Sequence, residues 1–386
     1  MLRTWVMLRS WGMLRTIGLM SGTSLDGVDA AYVETDGERI GRLGRSLTIP
    51  YPPALRRDLR ALLDAAPGLH AEGRLASDPA LLDCARRLTE IHAEAVAALG
   101  MGADLIGFHG QTILHRPAIR SPGTGQASRG HTWQIGDAAL LARRTGVEVV
   151  HDFRSADVAA GGQGAPLVPV FHRVLAEGLP KPVAILNLGG VGNVTWIGEG
   201  GELVAFDTGP ANGPLDDWAR RFLGTDYDRD GLLAGAGEPD AAVLGRLMAQ
   251  PYLAAPPPKS LDRLDFDEAI RKAGMDALSP ADGAATLAAF CAACVAAAAR
   301  HFPAPPRQWL VAGGGRRNPA LMRPLAGVLE APVRPVEVAG WDGDALEAQA
   351  FGVLAARVVR NLPLTFPATT GAPRPMTGGR RVAALA

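Results

Sequence analysis

The chain carries glycines, carboxylates and hydroxyls at the ends of short apolar runs, where backbone and side chain together can hold a reacting group. "GTSLDG", Gly22 to Gly27, comes first. Its glycines let successive N–H groups turn into a concavity, and Thr23 and Ser24 add hydroxyls, a combination that cradles phosphate. Asp26 and Asp29 could reach a magnesium ion directly or through its waters. An ordinary polar turn has the same composition. No Gly-Lys-Ser/Thr follows, and Asp26 stands where a nucleophile elbow needs glycine, so neither of those phosphate or acyl-transfer motifs fits. "NLGGVGN", Asn187 to Asn193, offers a second turn with Gly189, Gly190 and Asn193, and "AGGG" ends in Gly313, Gly314 and Gly315. Two such turns facing across a cleft can grip a nucleotide's phosphates, and the third lets adenine or ribose approach the backbone closely.

"VAFDTGPAN" holds the sharpest chemical candidate. Asp207 leaves an apolar strand into a tight turn, where a carboxylate can be shielded and aimed as a general base, or can simply cap the turn. "GFHGQTILHRP" and "VVHDFRSADVAAGGQGAPLVP" gather His109, Gln111, His115, Arg154, Asp157 and Gln163, short polar groups that suit a sugar's hydroxyls. Metal binding is the rival for His109, His115 and His151, without a zinc spacing to support it. Cys291 and Cys294 form Cys-x-x-Cys on an alanine-rich helical run, where buried packing accounts for them better than redox chemistry. Lys259 and Ser260 follow three prolines and either face a phosphate or lie in a solvated loop. Glu347, in a helical stretch, reads as surface.

These residues need strands and helices to place them. Thr16 to Met20 and Val28 to Glu34 are predicted strands joined by the Ser21 to Gly27 turn. Helical periodicity covers Ala54 to Ala66 and Ala80 to Leu99, and strands are expected at Asp104 to Phe108 and Val147 to Phe153. The second half restarts with Pro182 to Leu188, the glycine turn and Val194 to Ile197. Leu203 to Phe206 then leads through "DTGPAN" into a helix ending near Trp218. A helix over Gly283 to Arg300, a strand before "AGGG", and helices at Pro319 to Leu329 and Asp344 to Arg360 complete the pattern. Each half therefore begins strand, glycine turn, strand and continues with alternating helices and strands, the signature of two related mixed α/β domains. The stretch 117 to 130 and the tail from Pro363 lack periodicity and read as mobile surface segments.

At 386 residues and 47% apolar composition the chain can fill two cores. Lysine plus arginine equal aspartate plus glutamate at 39 each, so no net field recruits nucleic acid or a membrane surface, and a small-molecule partner is expected. Three cysteines are too few for a disulfide scaffold, which fits the reducing cytoplasm. The alanine-rich run Gly283 to Ala299 reads as a buried helix, and Arg3, Arg9 and Arg15 break up any signal-peptide core. "MLR" recurs at Met1, Met7 and Met13, so residues 1–12 are expected to be an extension and Met13 the natural start.

In order, "GLMSGTSLDG", "GFHGQTILHRP", "WQIGD", "DFRSADVAAGGQGAPLVP", "NLGGVGN", "DTGPAN", "PPPKS", "GGGRRNP" and "DALEAQAFG" resemble the anhydro-N-acetylmuramic acid kinases, from about Met13 to Thr377. The resemblance implies two ribonuclease H-like domains of the actin, sugar-kinase and Hsp70-like ATPase superfamily with a nucleotide cleft between them. It implies domains over 13–152 and 153–360, with 361–386 packing back on the first. It implies a kinase that uses ATP and magnesium to phosphorylate 1,6-anhydro-N-acetylmuramic acid while water opens the anhydro bridge, in cell-wall recycling, with a homodimer as the expected assembly. Carried over by motif, Asp207 is the base, and the phosphate loop falls on Gly22, Thr23, Ser24, Leu25, Asp26, Gly27, Val28 and Asp29. Gly189, Gly190, Asn193 and Gly313 to Gly315 complete the nucleotide side, and Ser21, His109, Gln111, Arg154 and Glu347 take the sugar. The chain departs from the family pattern at Arg316, and after Lys259 and Ser260, where Leu-Asp-Arg-Leu replaces Thr-Gly-Arg-Glu. Rival readings are a kinase of another amino sugar without ring opening, and a nucleotide-binding regulator without catalysis. The presence of Asp207, Arg154 and both glycine turns weighs against the regulator.

Overall fold

A computed structural model describes residues 12–22, 24–117, 130–261 and 265–384. The 1–12 extension therefore lies outside the described residues except for Gly12, as does the 117–130 loop except for its two ends. The first half runs β1 (Leu14–Ser21), β2 (Gly27–Thr35), β3 (Ile40–Pro50), α1 (Pro53–Ala71), α2 (Pro79–Leu99), β4 (Leu105–Arg116), β5 (His131–Ile135), α3 (Ala138–Thr145) and β6 (Glu148–His151). After α4 (Ser155–Ala159) and α5 (Pro169–Leu175), the second half runs β7 (Val183–Leu188), β8 (Val191–Ile197), β9 (Leu203–Pro210), α6 (Asn212–Leu223), α7 (Ala241–Met248), α8 (Pro251–Ala254), α9 (Asp267–Lys272), α10 (Pro280–Ala299), β10 (Gln308–Ala312), α11 (Pro319–Val328) and β11 (Val333–Pro335). The chain ends with α12 (Leu346–Val359), α13 (Pro367–Thr370) and β12 (Arg380–Val382).

The two sheets share one plan. In the first, β1, β2 and β3 form an antiparallel meander, β4 lies parallel on the other side of β1, and β6 lies parallel beyond it. In the second, β7, β8 and β9 form the meander, with β10 and β11 parallel beyond β7. With β5, which pairs with β4, and β12, which pairs with β6, set aside, both sheets read 3-2-1-4-5 in chain order, the ribonuclease H-like arrangement, so the fold is the expected pair of related α/β units.

Local chemistry explains the element ends. Asp78 accepts hydrogen bonds from the amides of Ala80 and Leu81, Pro79 opens the first turn, and Gly100 closes α2 in the left-handed region. β4 runs eight residues beyond the predicted end at Phe108, because Gly110 (φ 73°) bends the strand and lets it continue against β5. α10 is long and apolar enough to cross a membrane by length and composition, and 67% of its most apolar stretch is buried within the protein. Its Cys291 and Cys294 are both buried and unpaired, as packing requires.

One core lies between the first sheet and α1 to α3, and a second between the other sheet and α6, α7, α10 and α11. α12 is shared. Leu346, Ala350 and Val353 pack with Val183, Ile185 and Leu310 of the second sheet. On its other side the helix backbone lies directly on the first: a Cβ at Gly18 would sit 1.7 Å from the Ala348 carbonyl oxygen, and one at Gly107 would sit 2.0 Å from that of Phe351.

The tail is fixed rather than mobile, which corrects the expectation from its composition. β12 pairs antiparallel with β6, Leu364 and Ala372 are buried, and the Thr365 and Thr370 hydroxyls donate to Oδ1 of buried Asp157, the latter at 2.7 Å. Proline and glycine ended the periodic pattern there, but tertiary hydrogen bonds hold the segment in its place.

Candidate active site

The β1–β2 turn, the start of β8, the end of β10 and the approach to α12 meet at one cleft of about 460 Å³. Its first wall is Gly22, Ser24, Asp26, Gly27, Asp29 and Thr48, and its second is Asn187, Asn193, Ala312, Gly313 and Gly314. Asp344 and Glu347 close it from the start of α12, and Arg317 and His172 complete the polar lining. Thr48 donates to Asp29 Oδ1 at 2.6 Å, and Asn187 Nδ2 donates to Glu347 Oε1 at 3.4 Å. Burial raises the pKa of Asp29, and Asp344, Asp26 and Asp342 raise it further. Glu347 is raised in the same way, by burial first and then by Asp29. The cleft therefore holds carboxylates that gain from a cation, between glycine turns that present backbone to an anion.

The glycines fall into two groups. At Gly27 a Cβ would meet the Ile49 carbonyl oxygen at 2.2 Å; at Gly313 (φ 75°) it would meet Asn187 Oδ1 at 2.3 Å, and at Gly315 Leu188 Cβ at 2.6 Å. Packing alone demands glycine at these three. At Gly22, Gly189 and Gly314 the nearest atom would stand at 3.5 Å or farther, at Gly190 nothing lies within 4 Å, and none of the four has a left-handed φ. The fold leaves those positions free to carry a side chain. Packing within the fold gives no reason for glycine at these positions, and two of them, Gly22 and Gly314, line the cleft.

Other residues of the predicted phosphate loop lie deeper. Leu25 (φ 60°) and Val28 are fully buried in the first core, so their side chains do not line the cleft, and Thr23 lies outside the described residues. Ser21 is buried behind the loop. His92 donates from Nδ1 to the Leu88 carbonyl at 2.7 Å, which leaves Nε2 to accept from the Ser21 hydroxyl at 2.9 Å, while Tyr51 donates to Ser21 at 2.7 Å. Ser21 thus supports the loop from beneath and is not brought to the cleft wall. In the second turn, the carbonyls of Gly189 and Gly190 accept the amides of Asn212, Ala211 and Gly213, tying the turn to the start of α6.

A second polar cluster adjoins the cleft. Arg154 donates to His109 Nε2 from Nε (3.2 Å) and Nη2 (3.0 Å), and from Nη1 to the Gly164 carbonyl at 2.8 Å. His109 donates from Nδ1 to the Gly110 carbonyl at 2.8 Å, and burial beside Arg154 holds the ring neutral. Burial lowers the Arg154 pKa to about 10, against the opposing fields of Glu347, Asp157 and Asp207. Gln111 is fully buried, donates to the Gly22 carbonyl at 3.2 Å, and among the described residues has no partner for Oε1. Asp157, besides anchoring the tail, accepts the Gly164 amide at 2.7 Å and so shapes the loop around Arg154.

Asp207 sits within β9 and pairs across the ladder with Asn193; the strand continues past it to Pro210, still paired with β8, where a tight turn was expected. Its Oδ2 accepts the Leu261 amide at 2.8 Å, its own amide donates to the Lys259 carbonyl at 3.1 Å, and Tyr252 Oη donates to its carbonyl at 2.8 Å. Burial pushes its carboxyl up to about 7, although the Leu261 amide, Arg154 and Lys259 all favour the charged form. A shielded carboxylate poised near neutrality is suited to accept a proton.

A sequence profile of the anhydro-N-acetylmuramic acid kinases matches residues 14–383. Proteins of that name from Acidiphilium cryptum, Rhodospirillum rubrum and Paramagnetospirillum magneticum are 59%, 55% and 53% identical to this chain. Each alignment covers 94% of this chain and 97%, 92% and 98% of the respective relative. The chain belongs to the anhydro-N-acetylmuramic acid kinase family.

Of the two departures from the motif pattern of these kinases, Arg316 has a structural explanation, and the one after Ser260 lies outside the described residues at 262–264. Arg316 is 3% exposed in its side chain and binds Glu337 Oε1 at 2.8 Å, Asp344 Oδ1 at 3.0 Å and the Gly313 carbonyl at 2.9 Å, fastening the β10 glycine turn to the approach to α12. Lys259 is buried rather than solvated: Nζ donates to the Tyr252 carbonyl at 3.0 Å and lies 4.6 Å from the Tyr252 ring centroid. Sequence reasoning missed Thr48, Arg317 and Asp344 as cleft residues. Asn187, Arg317 and Asp344 stood inside quoted motifs, whereas nothing in the local pattern marks Thr48.

Proposed function

We propose that this protein phosphorylates 1,6-anhydro-N-acetylmuramic acid with ATP while water opens the anhydro bridge, giving N-acetylmuramic acid 6-phosphate and ADP, a step in reclaiming cell-wall amino sugars. The observation that carries this reading is Asp207, a half-buried carboxylate held by the Leu261 amide at 2.8 Å, with its pKa raised to about 7 within the electrostatic reach of Arg154. Asp207 takes a proton from water as the water oxygen bonds to the anomeric carbon. The bond from that carbon to O6 breaks, and O6 takes the γ-phosphoryl group as the bond to ADP breaks. Positioning and charge neutralisation supply most of the rate in such transfers.

In this reading, Gly22, Ser24, Asn193, Gly313 and Gly314 hold the nucleotide in the cleft. Asp26 and Asp29 face its phosphates, where a magnesium ion sharing those phosphates and its own waters would offset the crowded negative charge. Arg154, fixed by His109 and Gly164, faces the sugar together with Glu347, while fully buried Gln111 holds the Gly22 carbonyl behind them. Leu25, Val28 and Ser21 hold the loop by packing and hydrogen bonding instead of touching either substrate.

The ring-opening step is tested in heavy-oxygen water with rapid quenching, using preformed product to measure exchange at the anomeric carbon. The product carries the heavy oxygen on that carbon and none on phosphorus. Product without label there overturns ring opening by water, and an open amino sugar turned over as well as the anhydro sugar favours a simple sugar kinase.

The nucleotide assignment makes its own prediction. Gly22→Ala and Gly314→Ala keep stability within ~0.5 kcal/mol of the parent, because the fold has room for each methyl. Each weakens ADP binding about tenfold, a loss of ~1.4 kcal/mol, by holding the phosphates or ribose off the backbone. Thermal unfolding and fluorescence titration with ADP check both, and unchanged affinity in both variants removes the cleft from nucleotide binding.

A further inference from the structure

The segment Lys259 to Leu261 closes over Asp207 from above. The Lys259 carbonyl receives the Asp207 amide at 3.1 Å, and the Leu261 amide donates to Asp207 Oδ2 at 2.8 Å, so backbone groups two residues apart grip both ends of one aspartate. Between them, Ser260 donates to Gln163 Oε1 at 2.8 Å, and Gln163 donates its amide to the Thr370 carbonyl at 2.6 Å. The grip is thereby tied to the loop that also holds Arg154 and to the fixed tail.

The Lys259 side chain fills the space beneath. It is 8% exposed, its Nζ lies 5.7 Å from the Phe206 ring centroid and 4.6 Å from that of Tyr252, and it donates to the Tyr252 carbonyl at 3.0 Å. Tyr252 in turn donates its hydroxyl to the Asp207 carbonyl at 2.8 Å. A buried ammonium on aromatic faces is held by cation–π attraction and by its carbonyl acceptor, and its field reaches the nearest carboxylate with little screening.

We propose that Lys259 is a positioning residue for the family reaction: held in the Phe206–Tyr252 pocket, it keeps the 259–261 segment clamped on Asp207 and favours that carboxylate's charged, proton-accepting form. This rests on Asp207 being the base. The charged and titratable groups facing the pair are Arg154 before α4, Tyr252 on α8, Cys294 on α10, and Arg300 and His301 just beyond α10. Arg154 and Lys259 favour ionised Asp207, whereas burial opposes it. Burial and Arg300 lower Lys259 to about 8, so the ammonium is largely retained where Asp207 ionises, at about 7.

The test is kcat/KM against pH for the parent, Lys259→Met, Lys259→Arg and Asp207→Asn, with ATP and the anhydro sugar. Methionine suits the aromatic pocket without charge. In Lys259→Met the acid limb moves to higher pH by about one unit, the size of a nearby opposite charge, so activity at pH 6 falls about tenfold while KM for ATP is unchanged. Lys259→Arg restores the parent midpoint. Tyr252→Phe, which removes only the hydroxyl donor to Asp207, lowers kcat without moving the midpoint, and it carries the geometric half of the test if Lys259→Met fails to fold. An unshifted acid limb in folded Lys259→Met, with Asp207→Asn inactive, overturns the role of Lys259 and leaves the base assignment standing. An active Asp207→Asn with the parent's limb overturns the base assignment itself. If Lys259→Met does not fold, unchanged kcat in Tyr252→Phe overturns the clamp.

Discussion

Asp207→Asn is expected to fold, bind ATP and turn over about 10²–10⁴-fold more slowly, the range for losing a general base. Asparagine keeps an oxygen for the Leu261 amide and leaves the backbone bonds to Lys259 and Tyr252 in place, so the strand holds its shape there. What disappears is the group that captures the proton. Because burial raises the Asp207 pKa from 3.8 to about 7, the native state binds a proton more tightly than the unfolded chain. The associated stability is present below the unfolded value and is lost as pH rises through about 7. Asparagine carries no such charge, so the variant is at least as stable as the parent at pH 8 and loses its advantage toward pH 4. Nucleotide titration, single-turnover kinetics and thermal unfolding across that range check all three outcomes, and near-parental turnover removes Asp207 from the base role.

Gly18→Ala is expected to cost stability at or beyond the top of the ~1–3 kcal/mol range for an overpacked core, for one added methyl. Its Cβ would lie 1.7 Å from the Ala348 carbonyl oxygen and 2.5 Å from the Gly352 amide nitrogen, both in the backbone of a buried helix. No side-chain rotation relieves either contact, so α12 must lift from β1. The same helix carries Glu347 in its first turn, against Asn187 in the cleft. Folded material therefore loses activity as well as melting temperature. Urea unfolding with parallel activity assays checks this; a stability loss below ~0.5 kcal/mol shows that the helix and strand are not in the contact described.

Much of the fold was legible because apolar runs, glycine turns and helix caps are local. The strand, turn, strand unit opening each half and the long α2 and α10 follow from short-range pattern, whereas β9 runs on through Asp207 to Pro210, where a turn was expected. β3 was not legible: Arg42, Arg45 and Ser46 interrupt it, and its side chains alternate between exposed and half-buried at the sheet's edge. Glu347 read as surface because helical spacing says nothing about a helix that has a sheet on each side. Burial of Lys259 depends on Phe206 and Tyr252, one on a strand 53 residues earlier in the chain, and such a pocket leaves no trace in the three prolines before it. Gly22 and Gly27 look alike in sequence, and only the distance from each missing Cβ to its neighbours separates the glycine the fold requires from the one it does not.

The repeated 3-2-1-4-5 order places comparable strand pairs on both sides of the cleft, but the acid has changed strands. In the first sheet the carboxylate is on the middle strand of the meander, Asp29, opposite the hydroxyl of Thr48. In the second it is on the outer strand, Asp207, opposite the amide of Asn193. One architecture thus carries two charge environments: a carboxylate held by a hydroxyl among other acids, and a carboxylate in the fields of Arg154 and Lys259. The halves are copies in topology and specialists in charge, so neither meander can substitute for the other.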